Sequence, residues 1–270
     1  MSDLFWLDAG TGSPVVLLHG GFLDHRMWDD QIPALAQRHR VIAPDARGHG
    51  RSANAAQPFR AVDDLAALLR SLDTGPAVLV GVSMGAGTAV DTALEYPELV
   101  SALVVTGAGT SEPYFTDPWT TAALAGWQAA MAAGDLAASV DAFVLLAAGP
   151  HRTLDDLDPD VVGRLRTMAR DTMSKHHRDE PNWLVPVADT WARAAAIQVP
   201  VLALNGGMDS PDHIGMAERL AGTVADGRVA TVDGTGHYPN MERPAAFDEI
   251  LDDFLRSVSG VAARGRSGKS

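Results

Sequence analysis

The stretch Ala77-Val78-Leu79-Val80-Gly81-Val82-Ser83-Met84-Gly85-Ala86-Gly87 constrains this chain more than any other. An apolar run of strand length ends in Gly81-Val82-Ser83-Met84-Gly85 and passes directly into a helical pattern of small residues. So tight a turn from strand to helix requires small neighbours, which Gly81 and Gly85 supply. It lifts the Ser83 side chain clear of the sheet, which marks Ser83 as a candidate nucleophile. The same turn sets the N–H of Met84 at a helix start, where it can donate to an oxygen that turns negative as a carbonyl carbon is attacked. Gly-x-Ser-x-Gly also arises by chance in glycine-rich loops. The strand before it and the helix after it distinguish this instance.

Around this turn the chain alternates strand and helix. Val15-Val16-Leu17-Leu18 reads as a short buried strand running into His19-Gly20-Gly21-Phe22, where bare backbone can come close to a ligand. Val41-Ile42-Ala43 is a strand followed by the loop Pro44 to Ser52. Val62, Leu65, Leu68, Leu69 and Leu72 fall at helical spacing, the helix after Ser83 runs to about Glu95, and Ala102 to Val105 is another strand. From Gly109 to about Ile197 there are only helix-like segments broken by prolines, so residues 111–195 read as a helical insertion. Strands return at Val199 to Leu204 and Val229 to Val232, around an amphipathic segment at Ile214 to Leu220. Phe247, Ile250, Leu251, Phe254, Leu255 and Val258 then form one helical stripe. Residues 259–270 have no apolar periodicity and are expected to be a disordered tail. The fold class is therefore α/β, a mostly parallel central sheet with helices on both faces, built from 1–110 and 196–258. In such a sheet the active-site loops gather at the carboxyl ends of the strands.

Composition narrows the function. A length of 270 residues suits one large domain carrying an insertion. The 21 Lys and Arg against 34 Asp and Glu give a net charge of −13, which disfavours nucleic acid and anionic membranes as partners. The absence of cysteine excludes disulfides, thiolate metal sites and a cysteine nucleophile. No basic region followed by a long apolar run is found near Met1, and the expectation is a soluble, cytoplasmic protein.

A serine nucleophile needs a base, and the base an orienting acceptor. Of nine histidines, His237 lies in the glycine-lined loop Asp233-Gly234-Thr235-Gly236-His237 between the last strand and the last helix. Asn205-Gly206-Gly207-Met208-Asp209 follows the preceding strand, so Asp209 is in place to accept from the imidazole. Asp212 competes, but at the start of the next helix it reads as an N-terminal cap. Asp233 lies too near His237 along the loop. His19 and His49 lack the carboxylate-rich or repeated spacing of a metal site, and neither metal nor cofactor is expected.

The order Ser, Asp, His, with Leu17-Leu18-His19-Gly20-Gly21-Phe22, Pro44 to Ser52, Gly206-Gly207-Met208-Asp209 and Gly236-His237, resembles the α/β-hydrolase family over residues 13–108 and 197–258. Within it the chain looks most like compact serine esterases, enol-lactonases and cofactor-free haloperoxidase-like enzymes. That resemblance implies a sheet of about seven strands, because the region before His19 is short for the family. It also implies a second oxyanion donor at the N–H of Gly21, with Phe22 the alternative, and bracing rather than catalytic roles for His19, Asp45, Arg47 and His49. Serine rather than aspartate at position 83 argues against the branches that form an alkyl-enzyme ester. The insertion would be a helical cap carrying Tyr114, Phe115, Trp119, Trp127, Met131, Phe143, Met168, Met173, Trp183 and Trp191. The implied substrate is a small apolar or aromatic ester or lactone, with Phe22, Trp127 and Trp183 the candidate contacts. The rival readings are a lyase, transferase or cofactor-free oxygen-using enzyme on the same fold, and a ligand-binding sensor with little turnover.

Overall fold

In the computed structural model, which describes residues 4–177 and 179–266, apolar runs that read as buried strands pair into one sheet. Among the described residues it has seven strands: β1 Trp6–Ala9, β2 Ser13–Leu18, β3 His39–Pro44, β4 Ala77–Val82, β5 Val100–Thr106, β6 Val201–Gly206 and β7 Gly227–Val232. Their order across the sheet is β1-β3-β2-β4-β5-β6-β7, with β1 antiparallel to β3 and every other pair parallel. β4 is buried along its whole length, which is why its sequence is continuously apolar rather than alternating.

The pleat sends alternate residues to two cores. Val16, Leu18, Leu79, Leu103 and Ala203 face one cluster with α2 Ala61–Ser71, α3 Met84–Glu95 and α8 Pro211–Thr223. Val15, Leu17, Val80, Val104 and Leu204 face the other. There they meet α1 Ile32–Leu35, the Phe247, Leu251, Phe254 and Leu255 stripe of α10 Pro244–Arg266, and two helices of the insertion.

The insertion holds α4 Pro118–Ala133, α5 Leu136–Leu145, α6 Pro159–Met173 and α7 Thr190–Arg193, with one isolated bridge, Phe59 to Leu184, as its only strand-like pairing among the described residues. α4 has Pro118 at its first turn, an Asp117 side chain accepting from Thr120 N–H, and Gly134 at φ 73° closing it. Val140, Phe143 and Val144 of α5 and Leu165 and Met168 of α6 are buried in the same cluster as Val15 and Leu17, so the insertion shares a core with the sheet.

α9 Pro239–Glu242 is a single turn before α10. The apolar stripe predicts an end near Val258 and a structureless tail from 259 on. α10 instead continues to Arg266: no proline follows Pro244, and Ala262-Ala263-Arg264 favour continued helix. Residues 267–270 of the expected tail lie outside the described residues. Among the described residues no helix is long and apolar enough to cross a membrane.

Candidate active site

Ser83 stands between β4 and α3 at φ 53° and ψ −114°, a backbone conformation that costs a residue with a Cβ on the order of 1–3 kcal/mol. Its surroundings hold it there. Ser83 N–H donates to the Thr106 carbonyl at 2.8 Å, and its own carbonyl accepts from Gly87 N–H at 3.0 Å. A Cβ on Gly85 would drive into the Leu18 carbonyl and one on Gly81 into the backbone of Gly85, so both positions of the motif are needed for packing as well as for the turn. Met84 is the first residue of α3, so its N–H has no acceptor within the helix. Gly21 faces Met84 across the site, its nearest neighbour being the Met84 Cβ at 4.0 Å from where a Gly21 Cβ would sit. Phe22 is at φ 55°.

The loops after β6 and β7 are tied together by Gly207 N–H to the Val232 carbonyl and by Met208 N–H to the Thr235 carbonyl at 2.7 Å. This tie brings Asp209 against His237, whose Nδ1–H donates to Asp209 Oδ2 at 2.7 Å. Both residues are buried. The bond leaves Nε2 of the neutral ring as the proton acceptor. β5 lies between β4, which leads to Ser83, and β6, and is followed by Gly107, φ 65°, where a Cβ would sit 2.5 Å from His237 Cε1 and 2.8 Å from its Nδ1. Tyr238 packs edge-on to the imidazole at 5.0 Å between centroids. Arg152 of the insertion pairs with Glu242 at 2.7 Å, and Glu242 accepts from Gly236 N–H at 2.8 Å, which steadies the histidine loop.

Sequence reasoning passed over His213. Its Nδ1–H donates to the other oxygen of Asp209, Oδ1, at 3.0 Å, and its ring lies 4.2 Å from that of His237 between centroids. The signal available was the spacing: Ser210 caps α8 by accepting from His213 N–H, which turns the residue four after Asp209 back towards it. Burial pushes the Asp209 carboxyl up, but the charges and hydrogen bonds of His237 and His213 outweigh that and hold it below the usual carboxylate range. Burial pushes His213 down, yet the Asp209 charge and hydrogen bond, helped by Asp212, raise it overall.

Asp212 is not the cap of its own helix. Ser210 has that role, and Asp212 instead accepts from the N–H groups of Thr116 and Asp117, each at 2.8 Å, at the entry to α4. His19 accepts from Ala46 N–H at Nε2 and donates from Nδ1 to the Gly20 carbonyl. Asp45 accepts from His25 Nδ1 and from the N–H groups of His25 and Arg51, and Arg47 makes a two-pronged pair with Asp64. These bonds are made within the chain, and His19, Asp45 and Arg47 also line the cavity that holds Ser83.

A cavity of about 710 Å³ opens above Ser83. Gly21, Phe22, Met84 and His213 line it from the core, and Phe115, Met131 and Trp183 from the insertion. Trp127, expected to contact substrate, is not among its walls: the ring packs behind Phe22 at 5.4 Å, because α4 turns that face towards the shared core. Among the described residues, two groups bring three potential metal ligands within 4.8 Å of one another, Asp209 with His213 and His237, and Asp24 with His25 and Asp45. In the first the ring nitrogens and the carboxylate already bind each other; in the second His25 holds Asp45 and Arg26 holds Asp24.

A serine on a strained strand-to-helix turn, the chain order Ser, Asp, His along one sheet edge, and a parallel sheet covered on both faces occur together in one family. Residues 13–244 match the model of the alpha/beta hydrolase fold. The chain belongs to that family. Among curated relatives it is 28% identical to 2-hydroxymuconate semialdehyde hydrolase of Pseudomonas sp., covering 94% of this chain and 91% of the relative. It is 31% identical to a pimeloyl-[acyl-carrier protein] methyl ester esterase of Aromatoleum aromaticum, covering 90% and 98%. Among solved structures, Est816, described as an N-acyl homoserine lactone degrading enzyme, superposes with a TM-score of 0.74 at 25% identity over 93% of this chain and 96% of that one. The protein is thus an α/β-hydrolase, an enzyme of the hydrolase class.

Proposed function

We propose that this α/β-hydrolase cleaves a small carboxylic ester or lactone through an acyl-enzyme on Ser83. The observations that carry the reading are the buried His237–Asp209 pair in the loops after β6 and β7 and a serine held at φ 53° after β4, on the wall of the cavity. Ser83 Oγ attacks the carbonyl carbon while His237 Nε2 takes its proton. The developing oxyanion receives the N–H groups of Met84 and Gly21. His237 then gives the proton to the leaving alkoxide, which departs as an alcohol or, from a lactone, stays tethered to the acyl group. Water, deprotonated by the same imidazole, releases the acid. Asp209 keeps the ring in the tautomer that accepts at Nε2 and stabilises the imidazolium. The apolar walls at Phe22, Phe115, Met131 and Trp183 favour an apolar or aromatic acyl or alcohol part.

The test is a fluorophosphonate probe together with a panel of p-nitrophenyl esters and lactones. Ser83→Ala is expected to abolish labelling, and His237→Ala and Asp209→Asn to lower kcat by roughly four orders of magnitude with the fold retained. Full esterase activity in Ser83→Ala overturns the assignment.

A further inference from the structure

α3 runs away from Ser83 along the cavity. Met84, Gly87, Thr88 and Asp91 all line it, at the i, i+3, i+4 and i+7 spacing of one helical face. At 1.5 Å per residue, Asp91 lies about 12 Å along the helix from the serine. Between them the face offers little polarity. Gly87 has no side chain, and the Thr88 hydroxyl donates back to the Met84 carbonyl at 3.0 Å.

Asp91 is a costly residue to place there. It is 3% exposed, its carboxyl is bonded by Ser111, and its Oδ1 has no hydrogen-bond partner. A buried acceptor left without a donor carries its full desolvation cost. The other acids of the cavity wall are already engaged. Asp45 accepts at both oxygens, Asp64 holds Arg47 with both of its own, and Glu180 pairs with His176. An ionised carboxylate accepts and does not donate, and the charges of Glu112 and Glu95 add to that of Asp91, so an anionic group is disfavoured beside it. The terminal torsion of an aspartate is broad and two-fold, so a small turn of the carboxylate presents Oδ1 to a group in the cavity. What satisfies it is an O–H or N–H brought by the molecule that fills the cavity.

We propose that Asp91 determines specificity by accepting a hydrogen bond from a neutral hydroxyl or amide N–H at the remote end of the substrate's apolar part, about 12 Å from the reacting carbonyl. The inference rests on the reading of Ser83 as the nucleophile and names the kind of substrate it takes: an apolar chain ending in a donor, not in a carboxylate.

Two matched series of esters test this, one extended on the acyl side and one on the alcohol side. Each ends in a hydroxyl, an acetamido, a methoxy or a carboxylate group, over a range of chain lengths. Assays are run at pH 8, above the value of about 6 to which burial pushes this carboxyl. At the chain length that reaches Asp91, kcat/KM for the hydroxyl or acetamido ester should exceed that for the methoxy ester by roughly ten to a hundredfold in one series. Asp91→Leu, close in size and without an acceptor, should bring that ratio near one. Asp91→Asn keeps one acceptor oxygen and should lower it less. The second readout needs no turnover: calorimetric binding of the same esters to Ser83→Ala, with and without Asp91→Leu, where the preference appears as a ratio of Kd values. The same ratio with and without Asp91→Leu, in proteins whose melts show them folded, overturns the proposal, as does a wild-type preference for the carboxylate ester. Failure of the hydrolase reading shows separately, as full activity in Ser83→Ala.

Discussion

Asp91 is the residue whose burial has the clearest energetic consequence. It lies in α3, two turns beyond Ser83, only 3% exposed, with Oδ1 lacking a hydrogen-bond partner. Burial pushes its carboxyl up to about 6 from 3.8; Ser111 pulls the other way, and the charges of Glu112 and Glu95 add to the rise. Since the folded value lies above the unfolded one, the stability linked to this group is fully present below pH 3.8 and is lost as pH rises through about 6. The loss is on the order of 2–3 kcal/mol. Asp91→Asn removes the ionisation, so the melting temperature of the variant relative to wild type should climb by several degrees between pH 4 and pH 7.5. Parallel curves of melting temperature against pH would rule this out. At this scale the sequence was informative where chemistry imposes a local pattern. Ser83, Asp209 and His237 sit in glycine-rich turns after strands, and Asp209 and His237 meet as expected. The spacing of His213 from Asp209 was the signal of its placement, whereas the role of Asp212 was illegible because its partners, residues 116–117, come from a distant part of the chain.

Among the elements, the insertion divides its aromatic residues between wall and core. Trp183 lies in a segment whose backbone bonds to Phe59 on both sides, through Phe59 N–H to the Trp183 carbonyl and Val185 N–H to the Phe59 carbonyl, and it lines the cavity. Lys175 donates to the carbonyls of Gly50 and Ser52, and Glu112 accepts from the N–H groups of Asp189 and Thr190, so this segment is fastened at both ends. Trp183→Ala should therefore change relative kcat/KM across a series of acyl chain lengths by roughly ten to two hundredfold. Trp127→Ala should chiefly lower the melting temperature, because that ring supports Phe22 from the core side. Identical selectivity in wild type and Trp183→Ala would move the choice of substrate away from this wall. The core elements were readable because strands covered on both faces are continuously apolar and helices covered on one face keep their 3.6 period. Within the insertion the periodicity predicts helix but not partner. α4 is an example: it carries no charged residue between Pro118 and Ala133, so nothing in its sequence marks which face meets Phe22.

Over the whole molecule, the sheet order separates early chain from late. Five adjacent strands, β1, β3, β2, β4 and β5, come from residues 6–106, and β6 and β7 join at one edge only after the insertion. Ser83 belongs to the first group, Asp209 and His237 to the second. Pairings this remote in sequence form slowly, because loop closure precedes the contacts that stabilise it. Refolding from denaturant should therefore recover reactivity towards the fluorophosphonate probe later than the circular dichroism of the sheet, and simultaneous recovery would contradict this order. Under the proposed mechanism, a chain still being made, or caught half-folded, holds Ser83 among its early strands and lacks the base assigned to His237. On that mechanism, reactivity is withheld until the last edge strand docks, so a half-made chain carries no serine that stray acyl donors can modify before the cavity exists.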